Sequence, residues 1–133
     1  MKMKRGLLGA SFASLVLLGA CDSTNLIGPE NELQISNDTD RFEWQASVLE
    51  NVTQTLSYTW QNTGTSANID MSSSITSGTA TLTVWCVNGN EMYSGSLAQN
   101  GTFETTTGQA GAWTIEVVLV GVNGTLNFRV DAP

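Results

Sequence analysis

The chain of 133 residues has no histidine, two cysteines, two prolines and five lysines and arginines against twelve carboxylates. Without imidazole it lacks the commonest general base and metal ligand, so neither a Ser–His nor a Cys–His pair can form. Both lysines, Lys2 and Lys4, fall within the first five residues, and the rest has none for a Schiff base or a Ser–Lys dyad. Zinc sites built from Cys and His are excluded by the same inventory. Beyond residue 20 there is no long apolar run, and no apolar stripe at i, i+3, i+4, i+7 of the kind an amphipathic helix needs.

What is present begins with a leader. Lys2, Lys4 and Arg5 precede an apolar run from Gly6 to Leu18. Those ~13 residues would span roughly 20 Å as a helix, short of a bilayer core of ~30 Å, so a permanent transmembrane helix is disfavoured. Leu18-Gly19-Ala20-Cys21 closes the run and resembles the lipobox of bacterial lipoproteins, with polar sequence starting at Asp22. That resemblance implies removal of residues 1–20, a diacylglycerol thioether and palmitate-like acyl chains on Cys21, and a membrane-tethered product. Two or three chains anchor stably, since each buried methylene contributes about 0.8 kcal/mol. In the enterobacterial sorting rule, an Asp directly after the lipidated Cys favours retention at the inner membrane. The expected location is the bacterial cell envelope, on the outer membrane or the periplasmic face of the inner membrane, with the cell surface as an alternative.

From residue 21 onward only Arg41 and Arg129 oppose twelve carboxylates, a side-chain charge of −10. Nucleic-acid affinity rests on Lys and Arg neutralising phosphates, so nucleic acid is excluded as a partner. With Cys21 lipidated, Cys86 has no intramolecular partner and is expected to behave as a small core hydrophobe. Removing 20 of 133 residues leaves 113, enough for one domain.

Residues 21–32 contain Gly28-Pro29 and read as a lipidated N-terminus with a flexible linker, reaching about 35 Å when extended. Residues 33–133 read as an all-β domain. Phe42, Trp44, Ala46 and Val48 alternate with Glu43, Gln45 and Ser47. The same period of two recurs in Leu56–Trp60, Ala67–Ile75, Ala80–Cys86, Trp113–Leu119 and Leu126–Val130. Each run offers one buried and one wet face, as antiparallel sheets require. Asn88-Gly89, Asn100-Gly101 and Asn123-Gly124 sit between runs, where hairpins call for positive φ. The expected fold is a single antiparallel two-sheet β-sandwich of seven or eight strands, jelly-roll or Ig-like.

Gly78 to Val130 resembles the pre-peptidase C-terminal type of bacterial β-sandwich. The parts are an apolar strand, Thr79–Val87, an Asn88-Gly89 hairpin, a short strand, Met92–Leu97, and Gly111-Ala112-Trp113 leading the next. The likeness covers about half of the domain. Val87 stands where that family commonly has an Asp before the turn, so a cation site using that Asp does not carry over. The resemblance implies a non-catalytic accessory or binding module.

Three groups of side chains are candidates for chemistry. Asn37, Asp38 and Asp40 put oxygens in one loop and are candidate calcium ligands; the competing expectation is an Asx-type turn. If Asn88-Gly89 makes a two-residue turn, Trp85 pairs directly with Met92 on the outer face, and Tyr93 with Val84 inside. Trp85 and Met92 are thus candidate binding residues for a sugar ring or a protein partner. Glu43 and Glu116 sit mid-strand and would have to approach to within about 5–10 Å to act as a glycosidase pair. The sequence as a whole predicts a membrane-anchored, non-catalytic β-domain that binds a protein or glycan in the envelope. The alternatives are a structural coat component without a specific ligand and a carboxylate-based glycan-active enzyme.

Overall fold

The computed structural model describes residues 24–133; residues 1–20, Cys21 and Asp22 lie outside the described residues. The fold is all-β. Seven strands form one open antiparallel sheet: β1 (Gln34–Asp38), β2 (Arg41–Asn62), β3 (Asn68–Met71), β4 (Ser74–Trp85), β5 (Glu91–Ser96), β6 (Gly101–Glu104) and β7 (Gly111–Asp131). The order is β1-β2-β7-β3-β6, with β4 also paired to β7 and β5 to β4. Among the described residues no helix is long and apolar enough to cross a membrane.

Two strands organise the sheet. β2 runs for 22 residues and β7 for 21, where the sequence periodicity predicts two separate strands in each stretch. Asn123-Gly124 therefore makes no hairpin; it lies inside β7. The physical reason is a corner. The β2–β7 register slips between Ala46 and Leu49, between Leu49 and Val52, and between Val52 and Gln54. The β4–β7 register slips between Ile75 and Ser77 and again between Ser77 and Thr79. Bulges of this kind bend a sheet without ending it. Gly124 (φ 135°) and Gly78 (φ 81°) sit at the corner because a Cβ on either would run into the backbone of the neighbouring strand, Ser74 O and Gly121 O respectively.

The corner divides the sheet into two arms. One joins β1, residues 41–46 of β2, residues 126–131 of β7, β3 and β6. The other joins residues 54–62 of β2, residues 111–119 of β7, β4 and β5. Most apolar residues of the alternating runs form one buried cluster, with Phe42, Trp44, Trp60, Trp113, Leu82 and Phe128 among its fully buried members. Side chains of the two arms meet there. Phe42 and Tyr58 lie 5.3 Å apart between ring centroids, and Tyr93 and Phe103 6.0 Å apart. The buried Trp44 indole N–H donates to the Tyr58 hydroxyl at 2.9 Å.

The segment expected to be a linker is fastened from Asn25 onward. Asn25 bridges Val52 in parallel, donates its N–H to Asn51 O and accepts the Thr53 N–H. Gln54 Oε1 accepts the Ile27 N–H, and the Ile27 side chain packs against the core. Asn31, buried at the end of a 3-10 turn, donates Nδ2 to Ser47 O and Val48 O and accepts the Gly28 N–H at Oδ1. Those bonds hold the irregular stretch of β2. Val48, expected on the buried face, is 59% exposed with φ 51° because the bulge rotates it outward.

Candidate functional site

Alternation decides which side chains line the outer face of the first arm. Phe42, Trp44 and Ala46 point inward, so Arg41, Glu43 and Gln45 point out. The same logic turns Asn127, Arg129 and Asp131 outward on β7, and Asn68 and Asp70 on β3. The observed registers align these residues in rows across the strands. One row is Gln34, Gln45 and Asn127; the next is Ser36, Glu43, Arg129, Asp70 and Thr102; the third is Asp38, Arg41, Asp131, Asn68 and Glu104. The only two basic side chains of residues 24–133 thus sit mid-face, each flanked by acids.

Hydrogen bonds fix this array. Arg129 Nη2 lies 2.7 Å from Asp70 Oδ2, and its Nε lies 2.8 Å from Asp131 Oδ2. Arg41 Nε donates to Glu43 Oε2 at 2.7 Å, and Asn127 Nδ2 donates to Gln45 Oε1 at 3.2 Å. The Thr102 hydroxyl, then the Arg129 guanidinium, hold the Asp70 carboxyl below its ordinary pKa, and Asp70 in turn raises that of Arg129. Exposed ion pairs of this kind contribute little stability each, about 0–1 kcal/mol. Their consequence is positional, since they pin long polar side chains in one arrangement. A groove of about 320 Å³ crosses the face between Gln34, Ser36, Glu43, Gln45, Asn127 and Arg129. Its lining offers amide, hydroxyl, carboxylate and guanidinium groups, so it is equipped to hydrogen-bond a polar ligand. Sequence reasoning missed this face. Its only advance sign was that Arg41 and Arg129 each fall between inward-facing residues of long alternating runs.

The residues singled out from the sequence are placed as follows. Trp85 is partly exposed on the outer face of the second arm, opposite Thr114 of β7. The direct Trp85–Met92 pair does not form. The β4–β5 turn is closed by the Gly89 N–H on Cys86 O, with Gly89 at φ 86°, and the register then slips between Val84 and Trp85. Val84 faces Tyr93 as expected, but Trp85 faces Glu91, and Met92 becomes the surplus residue of the bulge. Its side chain is buried under Gly108, together with Cys86. Around Trp85 the face is a field of hydroxyls: Ser57, Glu116, Thr83 and Ser94 form one row, and Thr55, Val118, Thr81 and Ser96 another. Glu116 therefore sits on the second arm and Glu43 on the first.

The expected single loop does not form: Asn37 and Asp38 end β1, paired with Phe42 and Arg41, and only Asp40 lies in the turn to β2. Each of the three is turned to a protein partner. Asn37 Nδ2 donates to Thr59 O, and Asp38 Oδ2 accepts from the Ser36 hydroxyl. Asp40 accepts the Thr63 N–H at Oδ1 and the Thr63 hydroxyl at Oδ2, both at 2.7 Å. The Thr63 N–H, then its hydroxyl, hold the Asp40 carboxyl below its ordinary pKa. Asn37 and Asp40 thereby tie this hairpin to Thr59 of β2 and to Thr63 just beyond it. Among the described residues, no group of three His, Cys, Asp or Glu side chains is placed to hold a metal ion. Compared with known proteins, the chain matches no family model and no curated protein.

Proposed function

We propose that this protein is a bacterial envelope lipoprotein, anchored through Cys21, that displays a non-catalytic β-domain to a glycan. Leu18-Gly19-Ala20-Cys21 supports the anchor and its lipid partner. The groove on the first arm supports the binding role: planar amide, carboxylate and guanidinium heads, held by mutual hydrogen bonds, match the paired hydroxyls of a sugar. The contacts between Phe42 and Tyr58 and between Tyr93 and Phe103 support reading the folded sheet as the two layers of a sandwich. Separation of Glu43 and Glu116 onto different arms supports the non-catalytic reading.

A glycan array of bacterial envelope polysaccharides, followed by titration calorimetry, tests the binding role. Gln45→Ala and Gln34→Ala should weaken the interaction without lowering the melting temperature. Binding that survives both substitutions, or no glycan retained at all, would defeat it. Cys21→Ser should release the protein from membranes. A second reading, a structural coat component, is favoured by the Thr- and Ser-rich outer face of the second arm. It predicts that no ligand competes at either face.

A further inference from the structure

The fastening of Asn25 to β2 has a geometric consequence for an anchored chain. Four peptide units separate Cys21 from Asn25, and fully extended they reach about 14 Å. The corner of the sheet, not a remote end of a long linker, is thus the part held at the membrane. Five large hydrophobic side chains are exposed among the described residues: Leu26, Ile35, Val48, Val87 and Val120. Three of them belong to this corner. Leu26, 66% exposed, directly follows Asn25, and Val48 O accepts the Asn31 amide. Val120, 54% exposed, precedes Gly121, whose N–H bonds Thr53 Oγ1, while the Thr53 N–H bonds Asn25 O.

We propose that Leu26, Val48 and Val120 form a membrane-contacting corner, seated on the phospholipid surface that holds the Cys21 acyl chains. The inference rests on the lipid-anchor reading. A tether this short keeps the corner within reach of the interface, where apolar side chains are withdrawn from water. Val87 marks the opposite end: it lies against Gly111, which pairs with Asn62, eight residues along β2 from Gln54. That end stands about 27 Å farther out. The polar groove then lies along the side of the domain, open to the periplasm or the cell exterior.

The test uses the lipidated protein on phosphatidylethanolamine–phosphatidylglycerol vesicles. Val48→Cys, Val120→Cys and Val87→Cys, each in a Cys86→Ala background, carry an environment-sensitive fluorophore. Labels at 48 and 120 should shift to the blue and be quenched by spin-labelled lipid, while the label at 87 should do neither. Equal responses at all three sites, in protein that sediments with the vesicles, would overturn the corner contact alone. Protein that fails to sediment would overturn the anchor, and the orientation with it. Hydrogen exchange on the unsubstituted protein gives a second readout free of labelling. Amides of residues 48–53 and 120–122 should slow on vesicles relative to the unanchored Cys21→Ser protein, with residues 87–90 unchanged; equal rates in both forms would overturn the contact.

Discussion

Replacing Val48 by glycine should make the protein more stable, although it deletes a hydrophobic side chain. Val48 has φ 51°, in the left-handed region that a β-branched residue rarely occupies. For an L-residue that conformation costs roughly 1–2 kcal/mol. The side chain recovers little of this, because it is 59% exposed and absent from the buried cluster. The conformation persists because the Asn31 amide holds both Ser47 O and Val48 O in place. Glycine removes the strain and gives back about 0.5–1 kcal/mol through the greater freedom of its unfolded chain. The net gain for Val48→Gly is therefore about 0.5–1 kcal/mol. Val48→Asn, which tolerates the same φ with less freedom to lose, should gain about 1 kcal/mol.

Val120 provides the opposite sign. It is exposed in the same corner but does not share the positive φ. Val120→Gly should lose about 0.5–1 kcal/mol from strand flexibility alone. Urea unfolding of the unanchored domain would measure both, with an unchanged m-value showing that the folded and unfolded states keep their compactness. Two variants moving the midpoint in the same direction would refute the reasoning, because exposure rather than backbone conformation would then govern both sites.

Three further outcomes follow from particular contacts. Tyr58→Phe leaves the buried Trp44 indole N–H without its acceptor and should cost about 1–3 kcal/mol in a chemical melt; an unchanged midpoint would mean the donor finds another partner. Gly108→Ala puts a Cβ against Met92 Sδ and the Cys86 side chain, and should cost about 1–3 kcal/mol by overpacking. Shortening Met92 to Val in the same chain should recover part of that loss, and strict additivity of the two substitutions would count against the contact. The lowered pKa values of Asp40 and Asp70 imply stability that is fully present above the unfolded carboxylate pKa, about 3.9, and lost as pH falls through the folded values. Asp40→Asn and Asp70→Asn should each flatten the acid limb of a stability–pH curve, and an unaltered limb would assign acid sensitivity to other carboxylates.

The strand content was legible because period-two alternation reports burial directly: every inward residue of Ala80–Cys86, Trp113–Leu119 and Leu126–Val130 lies in the core. Continuity was not. A corner made by bulges and a hairpin look alike in sequence, since both ask for positive φ and small polar residues. Asn88-Gly89 turns the chain between paired strands, Asn123-Gly124 bends a strand that continues, and Asn100 does something else again. Its side chain accepts the Ser73 N–H and donates to Ser73 O, so it pairs like backbone where the chain passes from β5 to β6, which are not paired with each other. The outer polar face was illegible for a related reason. Its rows draw on five strands, and cross-strand neighbours are set by register, which single residues do not encode. Trp85 and Met92 failed as a pair on the same ground, when one surplus residue turned Met92 inward.

The corner also explains why Asn25–Asn31 had to be more than a linker. The bulges interrupt the β2–β7 ladder between Ala46 and Gln54, where only Leu49 and Val52 keep facing partners in β7, and buried backbone groups need hydrogen bonds. Asn25 and Asn31 supply the missing bonds: Asn25 takes the Thr53 N–H and offers donors to Glu50 O and Asn51 O, and Asn31 covers Ser47 O and Val48 O. Polar composition alone made this stretch look solvated, yet its amides are what the bent strand needs. The bend therefore fixes where the N-terminal segment docks, and under the proposed anchoring at Cys21 that docking point would set how far the domain can stand from a membrane. A substitution that breaks the Asn31 bonds should loosen the corner, whereas only loss of the Asn25 bonds would lengthen the tether.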